Sequence, residues 1–173
     1  DFIVREGVVS EEKAKVLADG SICGVDTERF KPDFEVRETV RQELDIEMSG
    51  VVFLYVGRLA EDKGLLDLAS AFNILRGKNS TVYLLLVGPD EEGMKERLTR
   101  LCEGGLEKLR FVDYTTTPER SMAAADIFCL PSYREGFGMA VIEAAAVGIP
   151  AIATRIYGVT DAVEEDVTGF LYE

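Results

Sequence analysis

The chain has 173 residues, 47% apolar and 29% charged, a globular composition that excludes intrinsic disorder and is long enough to bury roughly 70% of its unfolded surface without disulfide or metal. With 32 acidic and 19 basic side chains its net charge is −13, which argues against nucleic acid and anionic membrane as partners, because both reward a basic face. Histidine is absent, so the chain holds no imidazole base, His-Asp triad or histidine zinc site.

Residues 1–35 are mixed and weakly periodic and read as a connector or lead-in. Within them Ser10-Glu11-Glu12-Lys13 is suited to cap a short helix through Ala18, and Asp19-Gly20, Gly24 and Pro32 are turn and breaker signals. A helix is predicted over 36–48. From residue 51 the pattern is regular. Val51 to Val56 is an apolar run ending at Gly57, suited to a strand buried on both faces. Leu65, Leu68, Ala69, Phe72 and Leu75 follow helical spacing, with Gly77 as the stop. Val82 to Val87 is a second buried strand. Met94, Leu98 and Leu101 mark a helix that ends before Gly104-Gly105.

Leu109 to Val112 is a third strand. Thr117-Pro118 is an N-cap with proline at the first helical position, opening a helix through Ala125. Ile127 to Leu130 is the fourth strand, a helix spans Gly138 to Val147 with Gly148 as its stop, and Ile149 to Ala153 is the fifth strand. A short helix near Asp161 and a strand at Gly169 to Tyr172 complete the pattern. The alternation predicts an α/β fold with a doubly wound, mainly parallel sheet over residues 36–173.

Two further features bound the setting. Cys23, Cys102 and Cys129 form no C-x-x-C and read as reduced thiols of a cytoplasmic protein, with Cys129 in the core. Neither a signal sequence nor a membrane span is legible: the apolar stretch from Gly138 to Thr154 is interrupted by Glu143 and Pro150. The first residue is Asp, not Met, and the chain is expected to be a piece of a longer protein.

Sheets of this kind bind ligands in the crevice beyond the C-terminal ends of their strands. After the first strand comes Gly57-Arg58-Leu59-Ala60-Glu61-Asp62-Lys63-Gly64. It is neither G-x-G-x-x-G nor a Walker loop. Arg58 can fork onto phosphate oxygens and Lys63 can add a point charge. The alternative is two surface cations paired with Glu61 and Asp62. After the fourth strand come Glu135, Gly136, Phe137, Gly138 and Met139 at a helix start, where glycines expose backbone N–H groups to an anion. The alternative there is simple turn chemistry. Glu143 lies among apolar residues of that helix and is costly to bury unpartnered, although a carboxylate suits a vicinal diol. Its alternative is a place on the helix's exposed stripe. Together these groups fit a ligand with a diphosphate and hydroxyls at both ends, the shape of a sugar nucleotide.

Residues 51–173 resemble the donor-binding C-terminal domain of the glycosyltransferase group 1 family (family 4 of the retaining glycosyltransferases, with the GT-B fold). The matching segments are V-G-R-L followed by K-G, L-L-L-V-G, A-A-A-D-I-F-C-L-P-S, E-G-F-G, the E-x7-E pair Glu135 and Glu143, G-I-P-A-I-A-T and T-G-F-L. Gly24-Val25-Asp26 with Arg29-Phe30 and Pro32 resembles the family's interdomain lead-in.

The resemblance implies a Rossmann-like half of a GT-B fold that helps move a sugar from a nucleoside-diphosphate sugar to an acceptor, with retention. Arg58 and Lys63 would bind the diphosphate and stabilise the departing group, and Glu135 would hold sugar hydroxyls near the reacting carbon. The backbone around Gly136, Phe137, Gly138 and Met139 would meet phosphate or sugar oxygens, and Glu143 the ribose hydroxyls. Tyr114 would lie near the nucleobase, unless it is an edge aromatic engaged in packing.

No metal or other cofactor is expected: Arg58 and Lys63 would supply the charge, and no Asp-x-Asp cluster is present. The expected partners are the donor and, through an acceptor domain preceding this chain, a carbohydrate or lipid-linked acceptor. The setting expected for the whole protein is the cytoplasm, extending to the inner face of the membrane. Without that domain and the closing C-terminal helices, the chain is expected to bind nucleotide weakly and to be inactive alone. It departs from the family pattern in having Tyr157-Gly158 in place of a Gly-Gly pair, and Asp161 in place of a Glu. Competing readings are a sugar-nucleotide epimerase or a phosphorylase of related fold, or a non-catalytic nucleotide-binding module.

Overall fold

The computed structural model describes residues 2–15, 24–78 and 81–173. Six helices occur among them: α1 (Phe2–Arg5), α2 (Phe34–Glu43), α3 (Leu65–Lys78), α4 (Met94–Leu101), α5 (Pro118–Ala124) and α6 (Met139–Val147). The strands are β1 (Val51–Val56), β2 (Val82–Val87), β3 (Leu109–Val112), β4 (Ile127–Leu130), β5 (Ala151–Thr154) and β6 (Gly169–Tyr172). They form one sheet in the order β3-β2-β1-β4-β5-β6, with every pair parallel. Right-handed crossovers then place α3 and α4 on one face and α5 and α6 on the other. α3 packs on α4, and α5 packs on both α6 and α2.

The sheet centre is where the longest apolar runs fall. All six residues of β2 are buried, and Leu54, Leu84, Leu85, Leu86 and Phe128 are closed to solvent. α3 turns Leu65, Ala69 and Phe72 into this core, and α4 adds Met94 and Leu98. An apolar hollow of about 270 Å³ runs along the face of the sheet beside α3, lined by residues that include Phe53, Phe72, Cys129 and Ile152. Cys129 and Cys102 are buried free thiols, and burial pushes Cys129 up to about 12. Cys23 lies outside the described residues. No described helix is long and apolar enough to cross a membrane.

One buried cation ties the lead-in side to the sheet. Arg41 of α2 is fully buried. It donates to the carbonyls of Ala124, Glu47, Met48 and Gly50, and pairs with Asp126 at 2.7 Å. The same Asp126 oxygen accepts the backbone N–H of Val52 at 2.7 Å, and its other oxygen pairs with Arg37 at 2.5 Å. A charge this deep persists because each of its three nitrogens meets an acceptor and Asp126 offsets its charge. Phe30, from the lead-in, is also buried in the core.

Several boundaries differ from the sequence expectation. The helix predicted over 36–48 is Phe34–Glu43: Asp33 caps it through the Val36 N–H, and Asp45 ends it in the left-handed region at φ 51°. Ser10 does not cap a helix through Ala18. Only one 3-10 turn, Glu11–Lys13, forms, Ala14 is already extended, and residues 16–18 lie outside the described residues. Gly77 is not a stop, since α3 runs on to Lys78.

Thr117 occupies the N-cap position of α5 without capping it; its hydroxyl bonds that of Thr115, and the helix closes at Ala124. β5 begins at Ala151, not Ile149, because the Ile149 N–H is drawn back to Ala144 at the end of α6 and Pro150 has no N–H. No helix forms near Asp161, where residues 157–162 make successive turns.

Candidate functional site

In the order 3-2-1-4-5-6 the chain reverses its direction of travel between β1 and β4, and the crevice beyond their C-terminal ends is the ligand-binding position of such sheets. The loops leaving these two strands are locked together. Gly64 sits in the left-handed region at φ 64°, and a Cβ there would stand 2.0 Å from the Pro131 carbonyl oxygen. The Tyr133 N–H donates to the Asp62 carbonyl at 2.9 Å.

Across this junction Lys63 Nζ lies 2.9 Å from Glu135 Oε1, with both side chains largely buried. Lys63 also donates to the Arg134 carbonyl at 3.1 Å. Ser132, fully buried, donates to the same Glu135 oxygen at 2.8 Å. Both donors therefore use Oε1, and no described residue donates to Oε2. Lys63 and Ser132 hold the carboxylate in one orientation and leave half its acceptor capacity for another group.

Arg58 stands at the same mouth, half exposed, and pairs with Glu91 at 2.9 Å. The Tyr55 hydroxyl beneath donates to the Arg58 carbonyl at 2.9 Å. Burial raises the Tyr55 hydroxyl above its ordinary range, Glu135 and Asp62 add to that, and Arg58 offsets it.

The sequence alternative of Arg58 and Lys63 paired with Glu61 and Asp62 does not occur. Their partners are Glu91 and Glu135, while Glu61 pairs with Arg97 at 2.9 Å. Each of the two cations thus meets a carboxylate from another loop.

Beyond Glu135 the chain turns into α6. Gly136 is exposed, Phe137 packs against the core, and Gly138 adopts the left-handed region at φ 71° where α6 begins. Gly138 has no side chain to cap this end, and the Val141 N–H turns back to the Gly138 carbonyl at 2.8 Å. The start of α6 is the positive end of its dipole. In Tyr157-Gly158 the retained glycine has a steric reason: a Cβ at Gly158 would lie 2.2 Å from the Gly136 carbonyl oxygen. Tyr157 and Asp161 are exposed on this loop.

Glu143, one turn into α6, is half-buried, which removes it from an exposed stripe. Burial holds its carboxyl above the usual range, Arg29 opposes that shift, and Glu119 reinforces it. No described side chain donates a hydrogen bond to it. Its electrostatic neighbours lie towards α5, where Arg29 pairs with Glu119 at 2.7 Å and also donates to the Thr116 carbonyl. The structure thus pairs Lys63 with Glu135 across the loops after β1 and β4, pairs Arg58 with Glu91 of the loop after β2, and sets Glu143 within electrostatic reach of Arg29 and Glu119. Tyr114, just past β3, is exposed, so it is not an edge aromatic packed into the core.

The sequence suggests no site role for Ser132, Glu91 or Glu92, and places Arg29 only in the lead-in. The Glu92 carboxylate accepts the Glu61 N–H at 2.8 Å. The Pro89-Asp90-Glu91-Glu92-Gly93 run carried a turn signal that could have drawn attention to them. Among the described residues no three metal-ligating side chains converge.

The family model described as "Glycosyl transferases group 1" matches residues 36–173. The capsular polysaccharide biosynthesis glycosyltransferase CapM of Staphylococcus aureus is 31% identical over 172 residues, covering 99% of this chain and 45% of that protein. The D-inositol 3-phosphate glycosyltransferase of Corynebacterium urealyticum is 36% identical over 161 residues, covering 87% of this chain and 38% of its own length. Among solved structures, Anabaena Alr3699/HepE in complex with UDP and glucose superposes with a TM-score of 0.78 at 28% identity, covering 86% of this chain and 41% of that one. The chain spans less than half the length of these relatives.

Proposed function

Given that the chain belongs to the group 1 glycosyl transferases, we propose that it is the part of such an enzyme that holds the nucleoside-diphosphate sugar. The observation that carries this reading is the junction of Lys63 and Glu135 at the switch point, with Arg58 on the same β1 loop and a half-buried Glu143 carboxylate that no described side chain donates to.

In this reading Arg58 and Lys63 meet the donor's phosphates. As the bond between the anomeric carbon and the phosphate oxygen breaks, charge grows on that oxygen, and preorganised cations with the N–H groups at the start of α6 stabilise it. Glu135, held by Lys63 and Ser132 through Oε1, offers Oε2 to sugar hydroxyls. The ribose diol satisfies Glu143, donating from both hydroxyls to a carboxylate that has no side-chain donor among the described residues. Gly136, Phe137 and Gly138 line the backbone side, and exposed Tyr114 sits at the nucleobase end.

Arg58 and Lys63 supply the leaving-group charge, with transfer proceeding with retention to a carbohydrate or lipid-linked acceptor that a preceding domain binds. The whole protein works in the cytoplasm, up to the inner membrane face. This chain alone binds nucleotide weakly and does not turn over.

The test is thermal unfolding of the chain with UDP, GDP, ADP and their sugars. A ligand at a hundredfold its Kd stabilises by about 2.7 kcal/mol. At least one nucleoside diphosphate is expected to stabilise the chain, and both Arg58→Ala and Glu143→Ala reduce that response. Responses from both variants equal to the unaltered chain would sink the assignment.

A further inference from the structure

The β1 and β2 loops continue side by side beyond the sheet. The Leu59 N–H donates to the Pro89 carbonyl at 2.8 Å, Leu59 and Asp90 form a parallel bridge, and a Cβ on Gly88 would stand 1.9 Å from the Gly57 carbonyl oxygen. Asp90 then closes the turn by accepting the N–H groups of Met94 and Lys95 at 2.7 and 3.0 Å. This built turn points its next two residues at the β1 loop. Glu91 takes the Arg58 guanidinium and Glu92 takes the Glu61 N–H.

From this geometry we infer that Glu91 competes with the donor's phosphates for Arg58, and is a specificity-determining residue for how many phosphate charges the site accepts. The inference rests on the donor-site reading above. Glu91 holds Arg58 through Nη1 alone, so a phosphate that forks across the edge carrying Nη1 must displace it. The side chains of the pair are about half exposed, at 52% and 51%, and an exposed pair is weak enough to be exchanged. When phosphate takes Arg58, Glu91 stays on its anchored turn as a nearby like charge. It then repels a nucleoside diphosphate more than the corresponding sugar ester, which carries one charge fewer. Glu91 therefore favours departure of the spent nucleotide after transfer, returning to Arg58 as it leaves.

The experiment is calorimetric titration of the chain and its Glu91→Gln variant with UDP, GDP and ADP, their glucose esters, and the parent nucleosides. Neutralising Glu91 is expected to tighten the best-bound diphosphate by about two- to fivefold, to tighten its glucose ester less, and to leave the nucleoside unchanged. In an Arg58→Ala background the same substitution gains less than in the unaltered chain, because the contested cation is gone. An unchanged diphosphate affinity in Glu91→Gln, or an equal gain with and without Arg58, overturns the inference while the donor-site reading stands. Failure of every nucleotide to bind overturns both.

Discussion

Lys63 and Glu135, 72 residues apart in the chain, meet at 2.9 Å across the junction of the β1 and β4 loops. The contact joins the two halves of the sheet where its strand order reverses, and it leaves Glu135 Oε2 without a donor among the described residues.

Because the pair is largely buried, removing either member strands the other. Lys63→Ala is expected to destabilise the chain by about 1–3 kcal/mol in urea unfolding, and Glu135→Ala by a similar amount. The double variant falls well short of their sum, since the second removal relieves the first. Lys63→Ala also weakens nucleoside-diphosphate binding by about tenfold. Additive losses of stability would show that the two side chains do not depend on each other.

Glu143 links stability to pH with a definite sign. Its folded carboxyl titrates above the usual range because of burial. Its contribution is therefore most favourable below the unfolded value and is lost as pH rises through the folded value. Glu143→Gln is expected to stabilise the chain at pH 7 relative to the original residue, with the advantage shrinking towards pH 4. The same variant should weaken nucleotide binding by about tenfold, through loss of a charged acceptor for the ribose diol. Denaturation at the two pH values and titration with nucleotide check both halves. A variant less stable than the original at pH 7 would contradict the assigned cost of burial.

Gly64 and Gly93 make a controlled comparison. Both lie in the left-handed region, at φ 64° and 66°. A Cβ on Gly64 meets the Pro131 carbonyl oxygen at 2.0 Å, while one on Gly93 meets nothing within 4 Å. Gly93→Ala should cost about 1–2 kcal/mol from backbone strain alone. Gly64→Ala should cost about 1–3 kcal/mol more, because the two loops must separate. It should also weaken nucleotide binding, which Gly93→Ala does not. Equal losses from the two substitutions would mean that the junction yields freely.

Arg41→Met removes a guanidinium that serves four carbonyls and Asp126. The uncompensated Asp126 and carbonyls are expected to cost about 3–5 kcal/mol, read from the urea midpoint. A loss within 1 kcal/mol would show that Arg37 alone can satisfy Asp126.

The strands were legible because each is a short apolar run. β1, β2, β3, β4 and β6 fall at the residues their composition indicates. Only β5 shifted, because the bond from the Ile149 N–H to Ala144 competes with the sheet. Helix ends were less legible. They turned on single side-chain choices, such as the Asp33 cap, the left-handed Asp45 and the Thr117 hydroxyl that bonds Thr115 instead of its helix.

By itself the sequence determined where apolar runs alternate with helical spacing, and hence a parallel α/β sheet, a crevice beyond its strand ends and the residue types that reach it. Those are local properties, carried by neighbours in the chain. Only the tertiary structure decided which charges meet there: Arg58 with Glu91, Lys63 with Glu135, and Glu143 with no side-chain donor among the described residues. Ion pairing depends on distances of a few ångströms between loops 33 to 72 residues apart, and those distances are set by strand order and by glycines that let two backbones touch.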